Sequence, residues 1–84
     1  MTKWTKLYDT LAQNPEQRIR FSDLQGLHRA FGFSERQTSG SHWNYKHSRV
    51  PVILTIQPRR NEAVTYQVKR LLAVITEYGL HMSE

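Results

Sequence analysis

The chain has 84 residues, no cysteine and a formal net charge of +5. That length holds one small domain with a modest core, and the missing cysteines exclude disulfide staples and thiolate metal sites. No apolar run approaches the roughly 20 residues needed to span a bilayer, and 12 Lys and Arg against 7 Asp and Glu favour a polyanionic or acidic partner. The expectation is a single domain over residues 1–84 in the cytoplasm. Its opening "MTKWTKLYDTLAQ" lacks the continuous apolar stretch of a secretory leader.

Taken in chain order, Trp4, Leu7, Tyr8 and Leu11 recur at helical spacing and predict an N-terminal helix within residues 1–14. It stops near Gln13, because Asn14 precedes Pro15 and a pre-proline residue avoids the α region. After the connector "NPEQRIR", a second helix starts at "FSDLQ". Ser22 and Gln25 form a capping box there, and Asp23 suits the positive end of the helix dipole. Leu24, Leu27 and Phe31 make its buried face, and Gly32 is the expected left-handed terminator.

Three strands follow. "FSERQT" begins the first. "SHWNYKH" alternates, placing Trp43, Tyr45 and His47 on one face and His42, Asn44 and Lys46 on the other. "VPVILTIQ" is the third, with Val52, Leu54 and Ile56 on one face, and the short turns "TSGS" and "HSRVP" suit antiparallel hairpins. The turn at "HSRVP" pairs positions whose numbers sum to an odd value, which sets Thr55 or Gln57 opposite His42. A last helix follows "RRNEAV", with Thr65 as N-cap, Val68, Leu71, Leu72 and Ile75 as its stripe, and Gly79 as its end. Helix, helix, strand, strand, strand, helix describes an α+β domain with its two main helices on one face of an antiparallel meander and the other face open.

Trp43 and Tyr45 then read as core aromatics rather than base-stacking platforms. His42, Asn44 and Lys46 gather on the open face, beside the exposed amides of Ser39, Gly40 and Ser41, which suit a phosphate. An imidazole there titrates near neutral pH and suits the proton transfers of RNA cleavage, although an exposed sheet histidine also reads simply as a polar surface residue. No spacing of His and carboxylates makes a metal site, and there is no phosphate-binding glycine loop or catalytic triad, so no cofactor is expected. Lys69 and Arg70 in the first turns of the last helix oppose its dipole, which fits either a nearby phosphate or a solvated face.

In this order, "DLQGLHRAFGF", "SERQTSGSHWNY", "VPVILTIQ" and "YQVKRLLAVITEYGL" resemble the HicA family of toxins from type II toxin–antitoxin systems. The resemblance covers roughly residues 20–80 and leaves the N-terminal helix outside it. Its most specific part is the Gly-Ser-His element, Gly40 to His42. The resemblance implies a fold similar to a double-stranded-RNA-binding domain. It also implies a metal-independent endoribonuclease that cleaves messenger RNA and is silenced by a HicB-type antitoxin.

The histidine of the family's element falls on His42, which is thereby the expected catalytic residue. Many members carry a second histidine where this chain has Trp43, and another ends the third strand where it has Gln57, so the implied chemistry rests on His42. Arg36 and Lys46 are the expected phosphate ligands, with Ser39, Gly40 and Ser41 beside them and Lys69 more remote. Expected partners are the antitoxin, laid over His42, and messenger RNA, with no membrane involvement and a monomeric toxin when alone. Two other readings share the basic face: an RNA-binding module without catalysis, and a subunit that docks an acidic protein.

Overall fold

The first apolar stripe winds into α1 (Lys3–Gln13), which buries Leu11 and lays Trp4, Leu7 and Tyr8 along the core. The structure is a computed structural model describing residues 3–82; Met1 and Thr2 of the expected first helix, and residues 83–84 of the expected domain, lie outside it. The helix ends where expected, and the Asn14 side chain then accepts the Glu16 amide at 3.2 Å to turn the chain. α2 (Phe21–Ala30) runs against α1. Their contact is close because the Trp4 indole lies directly over Gly26, where any β-carbon would overlap the ring. Lys3 and Asp23 pair at 3.2 Å across the same contact.

Both expected helix starts are displaced by one or two residues. Arg20 and Val64 are the N-caps, with no side-chain hydrogen bond from either, so Ser22 and Thr65 lie inside their helices. At α2 the cause is tertiary. Residues 59–62 close into a two-residue reversal, with Arg60 and Asn61 both at positive φ (52° and 67°). This reversal pairs with the connector before α2: the Asn61 carbonyl accepts the Phe21 amide at 2.9 Å, and Arg20 bridges Glu62. A capping box is unnecessary once a distant carbonyl satisfies a free helix amide. The C-terminal ends match expectation. Gly32 and Gly79 adopt φ of 89° and 59°, and the next amides, of Phe33 and Leu80, reach back to His28 and Ile75 in the Schellman arrangement.

The sheet is antiparallel in the order β1 (Ser34–Ser39), β2 (His42–Lys46), β3 (Leu54–Ile56). α3 (Thr65–Tyr78) and α2 cover one face, where Tyr45, Leu54 and Ile56 join Leu24, Leu27, Val68, Leu71 and Ile75 in a single core. After α1, the order α-β-β-β-α is that of a small α+β fold of the double-stranded-RNA-binding type. β3 is shorter than the sequence pattern suggests. Val50 turns inward and is buried, Pro51 has no amide for a ladder, and Val52 is left 41% exposed instead of sharing the face of Leu54 and Ile56.

Candidate functional site

β1 and β2 are joined by a two-residue loop, Gly40–Ser41. Gly40 takes φ 44°, a left-handed value that side-chain-bearing residues resist, and a β-carbon there would face open space. The Gln37 side-chain amide donates to the Gly40 carbonyl and ties the loop to its own strand. The ladder slips between Gln37 and Ser39, so Ser39 rather than Thr38 stands opposite His42. This bulge brings the Ser39 hydroxyl to 3.4 Å from His42 Nδ1, a long contact that steers the ring without burying it. His42 is exposed.

The remaining open face follows from alternation. Arg36 pairs with Asn44, Ser34 with Lys46, and Thr55 with Asn44 from the other side. Thr55 is therefore not the neighbour of His42; its hydroxyl donates to the Asn44 side chain at 2.8 Å. Ladder pairing stops at Trp43 and Ile56, and the Gln57 amide leaves the sheet to reach the Gln67 side chain at 3.3 Å. The register thus points Gln57, the other expected neighbour, toward His42, but the ladder ends one pair short and leaves His42 at an open corner.

Strand geometry ranks the cations. Residues two apart on a strand are about 7 Å apart and neighbouring strands about 5 Å. Arg36, one strand over and one pair along, lies about 8 Å from His42 between α-carbons, within a guanidinium's reach of a shared phosphate. Lys46, four residues along, is about 13 Å away and meets a different phosphate. Lys69 lies in the helical layer on the other side of the sheet, where its ammonium pairs with Glu16, so the fold does not bring it to His42. Among the described residues no three His, Asp or Glu side chains gather in metal-ligating range.

One residue that local reading leaves as a plain helix histidine is central to the architecture beneath the site. His28 is fully buried, tilted against the Tyr45 ring at 4.3 Å and edge-on to Phe33 at 5.5 Å. Its Nδ1 lies 2.8 Å from the Leu24 carbonyl and Nε2 has no partner among the described residues, which defines a neutral ring protonated on Nδ1. Burial drives its pKa down to about 4. The Tyr45 hydroxyl donates to Glu35 Oε1, to which Arg29 also donates at 2.6 Å. Burial, then this carboxylate, push the hydroxyl well above the ordinary tyrosine range. The signal was present: Leu24, Leu27, His28 and Phe31 follow the i, i+3, i+4, i+7 rule, which places His28 on the inner stripe.

His47 points inward as alternation requires, packing edge-on to Phe33 at 5.1 Å, with its Nδ1 accepting the Arg49 amide at 3.0 Å. His42 is thus the one imidazole on the open sheet face among the described residues. No family model, curated protein or solved structure matches the chain.

Proposed function

We propose that this chain is a HicA-type toxin, an endoribonuclease that cleaves messenger RNA in the cytoplasm without a metal and is held silent by a HicB-type antitoxin. One observation carries the reading. An exposed imidazole stands at the corner of an open, basic sheet face, with its ring steered by Ser39 and Arg36 within reach of the same phosphate. A neutral His42 takes the proton of a 2′-hydroxyl as its oxygen attacks the adjacent phosphorus. The P–O2′ bond forms, the P–O5′ bond breaks, and the leaving 5′-oxygen takes a proton, either from the imidazolium just formed or from water. Arg36 and the loop amides of Gly40 and Ser41 face the charge that builds on the phosphorane oxygens. An acidic antitoxin laid across this face shuts the site by covering His42, which protrudes rather than sitting in a cleft.

The test is cleavage of RNA by antitoxin-free protein in EDTA. The expected products carry 2′,3′-cyclic phosphate and 5′-hydroxyl ends. His42→Ala should lower the rate by about 10²–10⁴-fold, as loss of a general acid–base does, with RNA affinity nearly kept. Activity lost in EDTA, or undiminished in His42→Ala, would refute the reading. The presence of a single imidazole on the open face favours a second reading, RNA binding without cleavage. That reading predicts intact RNA in the same assay, with translation blocked by occupancy.

A further inference from the structure

The sheet corner that holds His42 continues into a second basic feature. Beyond Ile56, the chain leaves β3 through Gln57 and Pro58 into the reversal at residues 59–62, then enters α3. Arg18, Arg59, Arg60, Glu62 and Tyr66 line a cleft of about 670 Å³ there. Glu62, its only carboxylate, is already taken: Arg18 holds both of its oxygens, at 2.8 and 2.9 Å. Arg59 and Arg60 form no ion pair among the described residues. Arg60 is fixed at the tip of the reversal at φ 52°, a conformation that disfavours its residue type. Beside them Tyr66 is 68% exposed, the most exposed of the large hydrophobic side chains among the described residues.

Two uncommitted arginines beside a bare aromatic ring match one ligand chemistry better than others. An acidic peptide would use the arginines and leave the ring idle. Duplex RNA offers phosphates but keeps its bases stacked inside. A single-stranded nucleotide uses both, with phosphate on guanidinium and a base on the ring. The cleft lies at the end of the sheet where β3 stops and α3 begins, so a strand that reaches both it and His42 passes round that end. Trp43 faces Ile56 in the ladder, and Arg59 is three residues beyond. The strand spacing and the reach of those residues put Arg59 within about 20 Å of His42, a few nucleotides of extended chain.

We infer that the Arg59–Arg60–Tyr66 cleft binds an unpaired nucleotide flanking the cleavage position, its base stacked on Tyr66 and its phosphates on Arg59 and Arg60. The inference rests on the RNA reading above and makes the substrate single-stranded at that point. The test uses the whole chain and a fluorescein-labelled 2′-O-methyl RNA 8-mer, which lacks the attacking hydroxyl and reports binding alone. Tyr66→Ala should weaken binding about 5- to 100-fold, as loss of one base–aromatic stack does, and Tyr66→Phe should restore it. Arg59→Ala with Arg60→Asn keeps a residue suited to the reversal and should reduce the salt slope for the single strand by about 1.4. A blunt duplex should bind Tyr66→Ala within twofold of wild type. All these side chains are exposed, and far-UV circular dichroism confirms that the variants fold.

If wild type binds and cleaves RNA, and His42→Ala is dead, but the Tyr66 and arginine variants bind the 8-mer like wild type, the cleft inference is wrong and the RNA reading stands. If wild type neither binds nor cleaves RNA, both fail. Poly-glutamate bound by wild type and lost in Arg59→Ala/Arg60→Asn would then assign the cleft to an acidic protein.

Discussion

Replacing His28 with leucine should remove most of this domain's sensitivity to mild acid. His28 titrates near 6.5 in an unfolded chain and at about 4 in the fold, because burial disfavours the imidazolium. Between those values the unfolded chain binds the extra proton, so unfolding free energy rises with pH. The contribution is neutral above pH 6.5 and grows unfavourable as pH falls, reaching roughly 3 kcal/mol near pH 4. For a small domain that is a large share of its whole stability. The charges nearest the ring, Glu35 and Arg29, pull in opposite directions, so desolvation dominates. The assay is urea denaturation at half-unit steps from pH 7.5 to 4, for wild type and His28→Leu. Subtracting the two curves cancels the carboxylates common to both. At pH 7 the variant should match or exceed wild type, since leucine removes a buried nitrogen without a partner. If the two proteins lose stability in parallel on acidification, His28 is not buried as a neutral ring and the reasoning fails.

Arg36→Ala should slow RNA cleavage about 10- to 100-fold more than Lys46→Ala. Lys46→Ala should act mainly on affinity, lowering the salt slope by about 0.7 to 0.9; single-turnover kinetics and binding titrations separate the two. Equal effects on the chemical step would contradict the distances inferred from the ladder. Gly26→Ala should destabilise the fold by about 1–3 kcal/mol despite alanine's better helix propensity, because its β-carbon would overlap the Trp4 ring. The double variant with Trp4→Ala should recover part of that loss, measured by urea denaturation, while cleavage by the distant His42 site stays near wild type.

Much of this molecule is legible one element at a time. Helical stripes at Trp4–Leu11 and Val68–Ile75 and the alternation of "HWNYK" place the helices, the core face and the open face correctly, because side-chain direction follows backbone period alone. Gly32, Gly40 and Gly79 are equally local, as each sits where φ is positive. The exposed placement of His42 follows from that alternation and from the short loop before it. Its neighbours do not. Whether Thr55 or Gln57 falls opposite His42 depends on how residues 47–53 spend their length; with Trp43 opposite Ile56 the register points Gln57 toward His42, and the ladder ends one pair short of it.

The same holds for the helix starts, His28 and the arginine cleft. Ser22 carries good capping chemistry, yet a carbonyl from Asn61 satisfies the Phe21 amide first, and Thr65 lies one residue inside α3 behind Val64. His28 is polar by type and becomes core only because Tyr45 and Phe33 close over it. Arg59 and Arg60 read as a charged lead-in to a helix until pairing between Arg20 and Glu62 folds them into a wall beside Tyr66. Periodicity states which way each side chain points from its own backbone. Which distant group it then meets is decided when connectors far apart in the chain pair and the core closes, and that information is not held in any single segment.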